Sequence, residues 1–251
     1  MERSFFDWIL LYIDKYGELF LQGTGITLLL AVVGTVAGGV IGLLVAIVRE
    51  IHIEKNDILL KKIVVRVARV ILGIYIEVFR ATPMIVQGMV VFYGLAFGGI
   101  HLSPLAAGLG VISINTGAYI SEIMRGGIIS VDKGQTEGAL SIGMTHWQTM
   151  LSIVLPQAIR NSLPAIGNEF IINIKDSAVL SVIGVAELFF QSKSAAGTYL
   201  QYFPAMVITC VIYLILTVII SRVLRYIEKR MDGPKNYKVD EKSELEYVLL
   251  H

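Results

Sequence analysis

The most constraining feature of this chain is where charge is missing. No Asp, Glu, Lys or Arg falls between Glu18 and Arg49, between Arg80 and Glu122, or between Lys193 and Arg222. Each of these runs has room for a bilayer-spanning helix, which needs roughly 20 predominantly apolar residues. The chain is 55% hydrophobic and 16% charged, with a mean hydropathy of +0.71. An ordinary soluble domain carries about 25% charged residues, so an all-α integral membrane protein is expected. The net charge of +1 gives no basic field for nucleic acid. The single Cys210 sits in an apolar run and has no partner for an internal disulfide. The first twenty residues mix charge and aromatics, so no removable signal peptide is expected and insertion begins with the first span.

The first span is expected over Thr24 to Val48, with residues 1–23 as an extracytoplasmic segment ahead of it. Gly34, Gly38 and Gly42 recur at every fourth position, a stripe that admits a second helix at close range. Two readings of the stripe stay open: close packing inside one subunit, or a seam between two. After a charged stretch from Arg49 to Arg69, the apolar run from Ile71 to Phe97 is interrupted at Arg80-Ala81-Thr82-Pro83. Proline lacks an amide hydrogen and its ring crowds the preceding turn, so two half-helices meeting near Pro83 are expected. Further spans are expected over Leu105 to Ile128, Leu163 to Val185 and Phe203 to Arg222. The transmembrane domain is thus expected over residues 24–230, followed by a polar cytoplasmic tail over residues 231–251.

Lys and Arg in short connections are retained on the cytoplasmic side. One set of connections holds Arg49, Lys55, Lys61, Lys62, Arg66 and Arg69, then Arg125 and Lys133, then Arg222, Arg225, Lys229 and Arg230. The other holds Arg3, Lys15 and Lys193. About five spans, with the N-terminus outside and the C-terminus in the cytoplasm, satisfy this asymmetry.

That orientation puts "EGALSIGMTHWQTMLSIVLP", residues 137–156, in the cytoplasm. Leu140, Met144, Trp147, Leu151 and Val154 recur at steps of four and three beside a polar row of Ser141, Thr145, Gln148 and Ser152, the pattern of an amphipathic helix without a charged face. Gly143 lowers helix stability by about 1 kcal/mol relative to alanine and is expected to mark a bend between two short helices. Pro156 and Pro164 mark the return to the membrane. Periodicity alone also fits a helix lying on the bilayer surface.

In this segment Glu137, Ala139, Gly143, Leu155 and Pro156 resemble the "EAA…G…LP" loop of permease subunits of ATP-binding-cassette importers, with Gly138 in place of the usual second residue. Three further stretches resemble the polar amino-acid branch of that family. They are "YIEVFRATPMIVQ" at 75–87, through Phe79, Arg80, Thr82, Pro83 and Gln87; "NTGAYISEIMRGGI" at 115–128, through Ala118, Tyr119, Glu122, Arg125, Gly126 and Gly127; and "LPAIGNEFIINIKDSAVLSVIG" at 163–184. The resemblance covers nearly everything from Thr24 to Arg230. It implies the type I ABC importer permease fold in a bacterial cytoplasmic membrane. It also implies a coupling helix that docks into a separate ATPase subunit, where ATP and Mg are bound, and an extracytoplasmic amino-acid-binding protein as a further partner.

A charged side chain at the centre of a spanning helix costs about 3 kcal/mol by insertion scales and faces protein or a watery path. Glu77 and Arg80 lie three apart beside the helix break, and Glu122 and Arg125 share that spacing. Asn115, Tyr119 and Glu122 share one face of the third span; Glu169, Asn173 and Asp176 share one face of the fourth, joined by Ser162. With Thr82 and Gln87 at the break, these form the candidate substrate path. A zwitterionic solute offers an ammonium group to the carboxylates and a carboxylate to the half-helix amides near Pro83. For Arg80 and Arg125, snorkelling to the interface or neutralising a nearby carboxylate is the competing reading.

No phosphate-cradling G-x-x-x-x-G-K-[ST] loop occurs, so no nucleotide is expected in this chain. The four histidines, His52, His101, His146 and His251, lack metal-ligand spacing, and neither H-E-x-x-H nor G-x-S-x-G appears. The expectation is a permease with no catalytic or metal residues of its own. An ATP-independent channel and an intramembrane enzyme are the rival classes; the channel leaves the cytoplasmic helix without a purpose. A chain with about five spans is small for a two-sided pathway, so a second permease subunit, identical or similar, is expected.

Overall fold

The computed structural model describes residues 3–53 and 57–231. Of the tail expected over residues 231–251, Met231 ends α9 and residues 232–251 lie outside the described residues, as does Lys55 among the counted cytoplasmic charges. Among the described residues all regular structure is helical: α1 (Phe5–Arg49), α2 (Leu59–Ala81), α3 (Met84–Phe97), α4 (Pro104–Ile129), α5 (Lys133–Ser141), α6 (His146–Thr149), a π-helical turn (Met150–Val154), α7 (Leu155–Asp176), a 3-10 segment (Ser177–Ile183), α8 (Leu188–Tyr199) and α9 (Tyr202–Met231).

The 45-residue α1 begins well before the expected first span. Its start is fixed by a capping box: the Ser4 hydroxyl accepts from the Asp7 amide, and the Asp7 carboxylate accepts from the Ser4 amide at 2.9 Å. Residues 5–23 are therefore the first turns of the same helix. At 1.5 Å per residue, α1 is about 68 Å long, roughly twice the hydrocarbon thickness of a bilayer. By length and composition α1 and α9 are the two helices, among the described residues, apolar enough to cross a membrane. Two of the other long helices carry polar side chains in the interior: α4 buries Ser113, Thr116 and Ser121, and α7 buries Ser162 and Asn173. The outward surface has the opposite character, with Val36, Val40 and Leu44 of α1, Val67 and Ile74 of α2, and Leu214 and Ile219 of α9 all exposed. An apolar exterior on this scale suits a hydrocarbon solvent.

The core is the α1–α4 pair, with α7 laid against both. The glycine stripe lies inside this seam. A Cβ on Gly34 would stand 3.0 Å from the Ile112 side chain, one on Gly38 2.8 Å from Cβ of Thr116, and one on Gly42 2.8 Å from the Ser121 amide nitrogen. The stripe thus serves packing within the chain, resolving the alternative left open by its spacing. Thr35, Thr116 and Asn173 pin the three helices together: Asn173 donates to Thr35 at 2.9 Å and accepts from Thr116 at 3.0 Å. Leu30, Val111, Ile112, Leu180 and Val185 fill the apolar core on one side, and Ala46, Ile120, Met124 and Leu155 on the other.

The fourth expected span, Leu163 to Val185, is instead α7 followed by a 3-10 segment that ends at Gly184 in a left-handed conformation, φ 88°. Glycine meets that geometry without steric cost. The chain then turns into α8, a helix the hydropathy pattern does not separate from its surroundings. Glu187 caps it, accepting from the amides of Phe189 and Phe190 at 2.9 and 2.7 Å and from the Tyr213 hydroxyl at 2.9 Å. Its carboxylate is fully buried, and these donors satisfy it there.

Candidate functional site

Two regions gather the residues that the sequence singles out. The first is the helix break. Pro83 separates α2 from α3 as expected, and the physical consequence falls on Phe79. In a continuous helix the Phe79 carbonyl accepts from the amide four residues on, and that residue is Pro83, which has none. Gln87 supplies the missing donor. Its side-chain amide donates to the Phe79 carbonyl at 3.0 Å, to the Thr82 carbonyl at 2.9 Å and to the Thr82 hydroxyl at 2.8 Å. Asn115 of α4 donates to the Gln87 side-chain oxygen at 2.9 Å and to the Phe79 carbonyl at 3.2 Å. Gln87, Thr82 and Asn115 therefore form one polar brace that holds the break against α4.

The charged candidates separate. Glu77 is exposed and makes no ion pair with Arg80. The Arg80 guanidinium lies instead 5.6 Å above the Tyr119 ring, within the distance at which a cation is held by an aromatic face. Glu122 pairs with Arg125 as its spacing suggests, at 2.8 and 3.0 Å, and also with Arg49 at the end of α1. Enclosed by two guanidiniums, Glu122 ties α1 to α4. The expected single face of Glu169, Asn173 and Asp176 is divided: Asn173 turns inward to Thr35 and Thr116, while Glu169 keeps Asp176 and Arg80 as charged neighbours. Ser162 does not join that row, because its hydroxyl donates to the Ile123 carbonyl of α4. Arg80, Tyr119, Glu169 and Asp176 remain as a group with both signs of charge.

The second region is the elbow between α4 and α7. Asp132 caps α5 through the Gly134 amide at 2.7 Å. The helix stops at Ser141, and Gly143 takes φ 86°, a left-handed turn that redirects the chain. Thr145 and Gln148 then form a capping box that starts α6. The bend expected at Gly143 is present, and it dissolves the single apolar face read from spacing. Ala139, Thr149 and Val154 are buried, while Ile142 at the tip is 79% exposed and Trp147 is 54% exposed. The π-helical turn over Met150–Val154 shifts the register before α7 begins. Leu155 anchors the return by packing with Ala46, Ile120 and Met124, and Pro156 occupies the first turn of α7 where no amide is needed. Glu137 is exposed on the outer side of α5. The elbow is thus a protrusion that presents apolar and acidic groups outward and is rooted in the α1–α4 seam.

Comparison with known proteins identifies the family of the chain. Residues 59–233 match the family described as binding-protein-dependent transport system inner membrane component. The glutamine transport system permease protein GlnP of Escherichia coli strain K12 is 36% identical over 228 residues, covering 90% of this chain and 98% of that protein. A putative glutamine transport system permease protein GlnP of Rickettsia felis is 34% identical over 229 residues, with the same coverage. A crystal structure of an amino acid ABC transporter with histidines superposes with a TM-score of 0.79 at 36% identity, over 92% of this chain and all of that one. An inward-facing MetNI methionine ABC transporter shares the fold at a TM-score of 0.69 and 20% identity, over 85% of this chain and 96% of that one. The helical bundle is that of a type I ABC importer permease, and the chain belongs to the family of binding-protein-dependent transport system inner membrane components.

Proposed function

We propose that this chain is the permease subunit through which an ATP-driven importer moves a polar amino acid across a bacterial cytoplasmic membrane. It crosses the bilayer about five times, with its N-terminus outside and its C-terminus in the cytoplasm. The observation that carries the coupling part of this reading is the elbow: a preformed, capped protrusion with Ile142 and Trp147 outward and Leu155 rooted in the core. Such a lever suits docking into a separate ATPase subunit, which binds ATP and Mg; the chain itself performs no covalent chemistry. Glu137, Ala139, Gly143, Leu155 and Pro156 are the coupling residues. A second permease subunit, an extracytoplasmic amino-acid-binding protein and surrounding lipid complete the assembly.

For the solute, the curated relatives named for glutamine transport and the amino acid transporter structure support a polar amino acid. Arg80 is suited to its carboxylate, and Glu169 with Asp176 to its ammonium. Thr82, Gln87 and Asn115 brace the break beside them. Transport of this kind is tested by reconstituting the chain with an ATPase subunit and a binding protein in vesicles and following labelled polar amino acids. ATP-dependent accumulation of at least one is expected. Accumulation of none of the polar amino acids or cystine contradicts the substrate class.

A further inference from the structure

Behind the elbow lies a cavity of about 640 Å3, a size common for ligand pockets. Its floor is apolar, built from Ile47, Ile128 and Val131 at the ends of α1 and α4 and from Met150 and Val154 on the inner side of the elbow, with the half-exposed Trp147 at its edge. Lys61 and Lys133 stand at its rim, opposed by Glu50; Lys61 also holds Asp57 at 2.7 Å. Thr149, which lines it, is 2% exposed, and its hydroxyl finds no hydrogen-bond partner among the described residues. A hydroxyl buried in that way is costly unless something supplies a partner.

We propose that the occupant is this chain's own segment 244–250, Glu-Leu-Glu-Tyr-Val-Leu-Leu. Its tether starts close by. The Met231 carbonyl, at the end of α9, accepts from Arg160 of α7, and Arg160 lies six residues beyond Val154 in the cavity wall, about 9 Å along a helix. Residues 232–243, fully extended, span about 40 Å, more than that gap requires. The composition of the segment fits the cavity: Leu245, Val248, Leu249 and Leu250 match the floor, Glu244 and Glu246 match Lys133 and Lys61, and Tyr247 offers a hydroxyl to a wall that contains the unsatisfied Thr149. The family match ends at residue 233, and GlnP of Escherichia coli aligns over 98% of its own length while covering 90% of this chain. The segment thus lies beyond the part of the chain that the family match covers. Tethering raises its local concentration to about millimolar, so a weak site is enough to fill the cavity. Trp147 lines the cavity and is also exposed on the elbow, so filling the cavity holds the elbow in one position and restrains its engagement by the ATPase. This last step rests on the permease reading; the seating of the segment does not.

Seating is tested by a disulfide in the full chain, purified with its ATPase subunit. In a Cys210→Ser background, Val248→Cys and Thr136→Cys are combined and oxidised; Thr136 lines the cavity. A disulfide within one chain is expected, and none when Thr136→Cys is replaced by Ser113→Cys on the buried part of α4. A disulfide to the ATPase or to a second copy, or no disulfide, overturns the proposal. Restraint is read from ATP hydrolysis. Deleting residues 236–251 is expected to raise the rate by about threefold, the change produced when two-thirds of the molecules hold the segment. A synthetic peptide of residues 240–250 is expected to reverse it, and Lys133→Glu to reproduce the deletion in part. An internal disulfide with an unchanged rate overturns the restraint and leaves the seating standing.

Discussion

Gln87 donates its side-chain amide to the Phe79 carbonyl at 3.0 Å, replacing the backbone donor that Pro83 cannot provide. Without Gln87 the Phe79 carbonyl keeps only the longer bond from Asn115 at 3.2 Å, and Asn115 loses its Gln87 acceptor; a buried polar group losing a partner costs about 1–3 kcal/mol. Gln87→Leu is accordingly expected to lower the stability of the purified permease by about that amount, read from its thermal unfolding in detergent. Pro83→Ala restores an amide to Phe79, so the double variant is expected to be less damaged than the sum of the two single ones. Simple additivity in that cycle would contradict the assignment.

Gly38 and Gly39 are adjacent in sequence and opposite in consequence. A Cβ at Gly38 meets Thr116 at 2.8 Å and the Gly117 amide nitrogen at 3.0 Å, whereas one at Gly39 meets nothing within 4 Å. Gly38→Ala is expected to destabilise by about 1–3 kcal/mol through separation of α1 from α4. Gly39→Ala is expected to be neutral or to gain up to about 1 kcal/mol from helix propensity. Equal thermal shifts for the two variants would place the α1–α4 contact elsewhere.

Glu122 neutralises Arg49 and Arg125 at one end of the α1–α4 pair. The three side chains are 19%, 26% and 38% exposed, so solvent screens them and each pair is worth about 1 kcal/mol or less. Glu122→Gln is expected to cost about 1–2 kcal/mol in low salt, because two guanidiniums then face each other. The loss is expected to shrink in about 1 M salt, where the screening length is near 3 Å. A salt-independent loss would point to packing rather than charge.

The parts of this fold visible in the sequence are those governed by backbone chemistry. Pro83 cannot donate and Gly143 interrupts a helix; the structure has a break and a bend at those positions. The glycine stripe announced a close contact without naming the partner, since spacing on one helix carries no information about which helix approaches. Residues 5–23 look unlike a membrane helix because Asp7, Asp14, Lys15 and Glu18 interrupt their hydropathy, yet α1 runs through them. Glu187 carried no signal at all: its partners Thr27 and Tyr213 lie 160 and 26 residues away. For the candidate substrate path, i to i+3 spacing suggested Glu77 with Arg80, but the Tyr119 ring from another helix takes the guanidinium. Side chains that meet across helices are decided by packing, and packing is what a single sequence states least.

Trp147 presents an exposed apolar surface on a four-residue helix whose start is held by Thr145 and Gln148. Trp147→Ala is expected to leave thermal stability within about 0.5 kcal/mol, as for other surface positions. It is expected at the same time to reduce ATP-driven uptake in vesicles. Undiminished uptake would remove Trp147 from the docking surface.

The elbow is expected to face the cytoplasm and to carry the ATPase. The direct measurement places a cysteine at Ile142, the 79% exposed tip, in a Cys210→Ser background and labels it with a membrane-impermeant thiol reagent. Labelling is expected in inside-out vesicles, not in right-side-out ones, and is expected to be blocked when the ATPase subunit is bound. Labelling from the outer face, or labelling that the ATPase leaves unchanged, would contradict it.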